Sequence, residues 1–359
     1  MSNWLRRLRL RHRFELFLTR GNSFIVLGGR LYLSQHGNFS RFLPKPKHIG
    51  GFPEEQILTR VMLPGTRTAS PRHENAILIS GLGRFGNMVI QLANIVLLAK
   101  KLDISLVLYW HNPSLGESEI RLGPRLRLKK AELSRARDST HPTHLLRTRA
   151  FTGPKFPDGL SSAETAFLRQ SLSDVILPNR SPRADRRSKS VVIHLRSGDV
   201  FWENPHPDYG QPPLSFYELV LNFDGWDEVL IVAEDDTNPC FDGIKSLCVE
   251  REIPFQVAGR TLDDALSTIV SATTVAMSRG TFVGSILWLK PANRHIFCFG
   301  ANSPTPFPLD GTVVTRVIDV AGDYEEGVLN GNWKNSSVQR ELMLSYPISN
   351  LELRGTARG

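Results

Sequence analysis

The chain has 359 residues, of which 41% are hydrophobic and 22% charged, and its formal net charge is +9. That length exceeds what one core ordinarily holds, so two domains are expected, and the apolar content excludes disorder throughout. No apolar run approaches the roughly 18 residues that a membrane-spanning helix needs. The three cysteines, Cys240, Cys248 and Cys298, lack CxxC spacing, which argues against a zinc site or a disulfide framework.

Residues 1–70 read as a basic N-terminal extension. Within 4–20, Arg6, Arg7, Arg9, Arg11, Arg13 and Arg20 interleave with Trp4, Leu5, Leu8, Leu10, Phe14, Leu16, Phe17 and Leu18. Two readings stand equal there: a helix lying on an anionic membrane surface, or a basic helix packed on its own protein. No apolar core with a small-residue cleavage site follows, so a cytoplasmic setting is expected, with peripheral contact at the membrane face as the first reading would have it. Residues 24–27 and 31–33 flank Gly28-Gly29 and read as a hairpin.

Residues 71–185 form the first expected α/β domain. A strand at 76–79, a glycine-rich turn at 81–86, a helix at 87–102 and a strand at 105–109 make a βαβ unit, the helix carrying Val89, Leu92, Ala93, Val96, Leu97 and Ala99 at helical spacing. Residues 110–185 are rich in Arg, Pro, Ser and Thr, with one helix expected around 163–172. The basic stretch 121–149 reads as a solvated charged face, with an acidic acceptor or phospholipid as the alternative. Charge alone would suit nucleic acid too, but no aromatic-basic motif of a nucleic-acid module is present, so no nucleic-acid partner is expected.

The polar segment 181–190 marks the boundary, and 186–359 is the second expected domain. Strands at 191–195, 228–233, 254–257, 273–277 and 295–299 alternate with helical patterns near 214–222, 241–251, 262–270 and 282–290. Strict alternation implies a parallel, doubly wound sheet.

Ligands of such sheets bind beyond the carboxyl ends of the strands. The strand at 191–195 delivers His194, Arg196 and Asp199; that at 228–233 delivers Glu234, Asp235 and Asp236; that at 273–277 delivers Ser278, Arg279, Gly280 and Thr281 at a helix start. Free amides with a hydroxyl at a helix start suit a phosphate, and a neighbouring arginine can clamp it. Each has a plainer reading. His194 alone reads better as a core histidine, Arg196 and Asp199 as a local ion pair, and Asp236, Thr237, Ser278 and Thr281 as helix caps. Their placement on several ends of one sheet favours a site for a diphosphate.

Gly81-Leu82-Gly83-Arg84-Phe85-Gly86 matches GxGxxG, the dinucleotide fingerprint. That fingerprint wants an acidic residue where the second strand ends, and here Tyr109-Trp110-His111-Asn112 stands instead. The glycines then read as allowing close backbone approach to another ligand.

Gly83-Arg84-Phe85-Gly86-Asn87 followed by a helix resembles the start of the protein O-fucosyltransferases, and with Gln91, Leu92 and Ala93 it is similar to that of the α1,2-fucosyltransferases. His194-Leu195-Arg196-Ser197-Gly198-Asp199 resembles their HxRxGD motif, and Ser278-Arg279-Gly280-Thr281-Phe282 their third motif, with Asp264 at an acidic position before it. The elements stand in the families' order over residues 76–290. The chain departs at Met88, where the α1,2 family has glutamine, and at Val283-Gly284-Ser285, where aromatic residues are usual. The loop 204–213 maps to no role in those families.

The resemblance implies an α/β fold of GT-B type, two facing Rossmann-like doubly wound domains. It implies an inverting fucosyltransferase that needs no metal and no cofactor beyond a GDP-sugar co-substrate, with a glycan or glycolipid acceptor. By position it implies Arg196 on the phosphates, Thr281 and Phe282 on phosphate and guanine, Asp264 on the base side, and Asn87 near the reacting sugar. Gly83, Gly86, His194 and Ser278 line the donor site on the same grounds, and Asp199 is the named catalytic carboxylate, with Glu203 and Asp208 as other candidates for the base. Three alternatives remain: a metal-dependent GT-A transferase using Glu234-Asp235-Asp236, an NAD(P)-binding oxidoreductase through Gly81–Gly86, and a non-catalytic glycan-binding module.

Overall fold

The computed structural model describes residues 14–19, 22–27, 30–34, 57–58, 76–79, 84–101, 103–109, 119–122, 126–130, 144–146, 160–177, 189–302, 305–309 and 311–358. The chain divides into two compact units, Met1–Ile176 and Leu177–Gly359. No described helix is long and apolar enough to cross a membrane.

In the first unit, strands β1 (Phe14–Thr19), β2 (Asn22–Leu27) and β3 (Arg30–Ser34) form an antiparallel sheet in that order. The β2–β3 pair is the hairpin expected around Gly28-Gly29. Phe14–Thr19 corrects the helix expected across 4–20. In FELFLT, Phe14, Leu16 and Leu18 recur at period two, and the adjoining strand offers a ladder that a lone helix lacks. The rest of that stretch lies outside the described residues.

The same unit holds β4 (Ile57–Leu58), β5 (Ala76–Ile79), β6 (Leu106–Tyr109), β7 (Glu119–Leu122), β8 (Leu126–Lys130) and β9 (His144–Leu146), in the order β4-β9-β5-β6-β8-β7. The inner four are parallel, and β4 and β7 are antiparallel edges. The helix Phe85–Lys101 connects β5 to β6 and is buried on most sides, with Met88, Val89, Leu92, Ala93, Val96 and Ala99 sealed from solvent. The expected solvated face over 121–149 is corrected at β8, where Leu126 and Leu128 are buried and Arg127 and Lys129 are half-buried between them.

The second unit carries one seven-stranded sheet built from β10 (Ser190–Leu195), β11 (Glu228–Ala233), β12 (Phe255–Ala258), β13 (Thr274–Met277), β14 (Arg294–Phe299), β15 (Thr312–Asp319) and β16 (Leu351–Arg358). Its order is β12-β11-β10-β13-β14-β15-β16, parallel except for β16. In chain order the parallel strands run third, second, first, fourth, fifth, sixth, which is the order of a Rossmann sheet. Both units are therefore α/β with a predominantly parallel main sheet. The continuous apolar runs in β10 and β11 follow, since a central parallel strand is covered on both faces.

One face of this sheet packs Val191, Ile193 and Leu195 with Val229 and Ile231 against Phe216, Tyr217, Phe241 and Ile244 of the helices Leu214–Phe223 and Cys240–Glu250. The alternate residues Val192, Leu230, Val232, Val275 and Met277 are buried on the other face, where the helices Leu262–Val270 and Phe282–Leu289 pack together. Each such side chain contributes roughly 1.5–3 kcal/mol by leaving water. The strand order reverses between β10 and β13, so the connections from these strands part to opposite sides and leave a crevice at their carboxyl ends.

Candidate functional site

That crevice is bounded by the turns after β10 and β13. His194, the next-to-last residue of β10, is buried and shares a 2.6 Å hydrogen bond between its Nδ1 and the Oγ of buried Ser278. The Phe282 ring lies 5.4 Å from the imidazole. Burial, and next the charge of Arg196, lower the His194 pKa to about 3, so the ring is neutral at physiological pH. His194 thus ties the two turns together as a buried histidine whose partner is the Ser278 hydroxyl.

Arg196 follows on the turn. Its Nη2 donates to Asp199 Oδ1 at 3.1 Å, and its guanidinium lies 5.1 Å from the centre of the Tyr209 ring. Its Nε is buried with no hydrogen-bond partner. Gly280, at φ +139°, lies beside it, and a Cβ built there would fall 3.2 Å from Arg196 Nη1. A glycine here leaves that side of the guanidinium open. Asp199 is paired with Arg196, so it orients the guanidinium. Glu203 and Asp208 are exposed on the loop that follows.

The turn is held in shape by the end of β11. Gly198, at φ +69°, donates its amide to Thr237 Oγ1 at 3.0 Å and to Asp235 Oδ1 at 3.3 Å. The Asp235 amide donates to Ser197 Oγ at 3.2 Å, and Asn238 Nδ2 donates to the Arg196 carbonyl at 2.8 Å. Burial pushes the Asp235 carboxyl up, but hydrogen bonds from Thr237, Gly198 and Ser197 together outweigh it and hold the pKa below the usual value. Asp236 pairs with Arg260. Within the acidic run expected as a metal-site alternative, Asp235 braces the Arg196 turn; among the described residues no three His, Cys, Asp or Glu side chains gather to hold a metal.

The other expected residues fall as follows. Ser278 and Phe282 adjoin His194. Thr281 is the N-cap of the helix Phe282–Leu289, but its side chain makes no capping bond. Asp264 lies beyond β12, two strands from β10, and accepts the Gly259 amide at 2.6 Å while its own amide donates to Thr261 Oγ1 at 3.2 Å. It secures the start of the helix Leu262–Val270. Gly86 and Asn87 belong to the first unit, on the first turn of Phe85–Lys101, Gly86 buried and Asn87 half-buried. Gly83 lies outside the described residues.

The unassigned loop 204–213 supplies what sequence reasoning missed. Besides Tyr209, it carries Gln211, fully buried, whose Nε2 donates to the Tyr209 carbonyl at 2.8 Å and the Arg279 carbonyl at 3.4 Å. The Tyr324 hydroxyl donates to the Gln211 carbonyl at 2.6 Å, and Asp319 accepts the Tyr324 amide at 2.9 Å and the Tyr346 hydroxyl at 2.5 Å. Burial, with Asp319 adding to it, pushes the Tyr346 hydroxyl up to about 12, so it stays a donor. No sequence-local signal points to these partners, which come from distant segments.

No family profile matches the chain, and no curated protein matches its sequence. Solved structures similar to it include E. coli ADP-heptose lps heptosyltransferase II, 13% identical over 67% of this chain and 89% of that one, with a TM-score of 0.32. The dodecameric iron-containing heptosyltransferase TibC in complex with ADP-D-beta-D-heptose is 11% identical over 81% of this chain and 69% of its own, TM-score 0.39. E. coli heptosyltransferase WaaC with ADP is 9% identical over 74% and 94% respectively, TM-score 0.28. At these scores the likeness carries no weight for function, and the site speaks through its own residues.

Proposed function

We propose that the chain is a nucleotide-sugar-dependent glycosyltransferase of GT-B type that binds its donor's diphosphate at the β10/β13 crevice. The observation that carries this reading is Arg196: a half-buried guanidinium at the switch point of a Rossmann sheet, oriented by Asp199 and Tyr209, with N–H donors left over and a glycine beside it. Glycosyl transfer develops positive charge on the sugar and negative charge on the departing nucleotide. A preorganised guanidinium placed against that phosphate stabilises the leaving group directly. No step of this scheme requires a metal ion.

The finer reading follows from the motif resemblance: fucose as the sugar, GDP as the leaving group, inversion at the anomeric centre, and a glycan or glycolipid acceptor; a place at the cytoplasmic membrane face rests only on the basic residues of 4–20. Asn87 would act near the reacting sugar, and Asp264, Thr281 and Phe282 on the nucleotide.

A thermal-shift panel of GDP, ADP, UDP, their monophosphates and NAD(P) tests the reading. A diphosphate at 100 times its dissociation constant adds about 2.7 kcal/mol of stability. Stabilisation by NAD(P) alone would transfer the assignment to the glycine turn 81–86. Donor binding without release of the nucleotide in the presence of acceptor glycans would leave a binding module. Turnover lost in EDTA and restored by manganese would return the acidic run to consideration.

A further inference from the structure

The donor-site reading uses one arginine, yet the crevice has two. Arg279 ends the turn from β13 immediately before Gly280 and is half-buried. Its guanidinium makes no hydrogen bond or ion pair among the described residues, in contrast to Arg196 and its link to Asp199. Burial lowers its pKa, and the charges of Glu325 and Asp208 oppose that shift from further away. Glu325 and Asp208 balance this half-buried cation without bonding to it, so its N–H donors remain available to an anionic ligand.

The Arg279 side chain reaches the end of β14, the strand beside β13. Gly300, at φ +91°, ends β14; a Cβ built there would stand 3.7 Å from Arg279 Nη1 and 3.2 Å from Glu325 Oε1. That glutamate oxygen is buried and has no hydrogen-bond partner. From the other side, Gln211 holds the Arg279 carbonyl while Tyr209, two residues earlier, covers Arg196. One loop therefore positions both arginine-bearing turns. β10 and β13 are adjacent strands, which lie about 4.8 Å apart, the scale of a diphosphate.

We propose that Arg279 distinguishes nucleoside diphosphates from monophosphates: Arg196 takes one phosphate and Arg279 the other. The inference rests on the donor-site reading above and adds to it a residue and a specificity.

The test is calorimetric titration of the full chain with the pairs GDP/GMP and ADP/AMP. The wild type prefers the diphosphate of the base it recognises by about 10- to 100-fold, the effect of one charge-assisted contact set. Arg279→Met removes the preference by weakening the diphosphate and leaves the monophosphate unchanged, whereas Arg196→Met weakens both. The readout is the change of that ratio between wild type and variant, because the net charge of +9 favours the more highly charged diphosphate in both proteins almost equally. Should Arg279→Met lose the wild-type circular dichroism or melting profile, Arg279→Gln is read in its place. An unchanged ratio, or equal weakening of both nucleotides, overturns the role of Arg279 and leaves the donor site standing. A wild type that binds neither diphosphate overturns both.

Discussion

The turn after β11 and the turns after β10 and β13 carry charged residues at one end of one sheet, yet they use them in opposite ways. After β11, Asp235 is engaged by Thr237 and the Gly198 amide, and Asp236 by Arg260. After β10 and β13, Arg196 keeps a buried Nε without a partner and Arg279 makes no direct pair. Charges that are satisfied within the protein build the scaffold; charges left with spare donors are the ones that the proposed donor site draws on. The sequence places Arg196 on the donor phosphates and leaves the acidic run as the alternative, a metal site. Hydrogen-bond accounting separates them.

The comparison breaks most decisively at Arg196. Arg196→Ala should lower transfer by about 100-fold or more, the usual cost of losing a preorganised charge-stabilising donor, with the chain still folded; near-wild-type turnover would refute the assignment. Asp235→Ala should do the reverse. It strands the Thr237 amide and leaves the Gly198 amide with Thr237 Oγ1 alone, so urea denaturation should show a loss of about 1–3 kcal/mol, and manganese should rescue nothing.

His194 sharpens the contrast through pH. Its folded pKa, about 3, lies below the ordinary 6.5, so its contribution to stability is present above 6.5 and is lost as pH falls toward 3. At pH 5 the deficit is about 2 kcal/mol. A His194→Gln variant should lack that component, so the wild-type and variant stability curves should converge or cross between pH 7 and pH 4; parallel curves would show that His194 is not held neutral. The smallest effect belongs to Tyr209. Tyr209→Leu removes the ring beside Arg196, worth about 0.5–1 kcal/mol, and should weaken diphosphate and monophosphate alike by only a few-fold in calorimetry, leaving the diphosphate-to-monophosphate ratio, which is assigned to Arg279, unchanged.

The sheet of the second unit was largely legible. β10, β11 and β13 read as short apolar runs between helical patterns, and their chain order sufficed to place His194, Arg196 and Ser278 at strand ends. β8 was hidden because Arg127 and Lys129 raise the charge of a strand whose period-two signal rests on two leucines alone. β15 and β16 went unread because the apolar residues of TVVTRVID fall in adjacent pairs, Val313-Val314 and Val317-Ile318, and LELRGTAR is mostly polar, so neither shows period-two alternation. At the site, Arg196 was legible because its motif is local. Tyr209, Gln211 and the Asp319–Tyr324 pair were not, because what makes them matter is proximity across 68 and 113 residues of chain. The N-terminal stretch misled for a physical reason: interleaved arginine and leucine fit a helix as well as a strand until a neighbouring strand supplies hydrogen bonds.

The central position of β10 has a kinetic meaning. Its pairing with β11 is comparatively local, so the braced turn at Gly198 can form early. The bond from His194 to Ser278 closes a segment of 84 residues, and that from Tyr324 to Gln211 one of 113. Closing such loops delays contact formation. On the proposed donor site, the two arginine-bearing turns should come together late, and refolding followed by nucleotide binding should then lag refolding followed by burial of Trp226, whose indole bonds Val220 only 6 residues away.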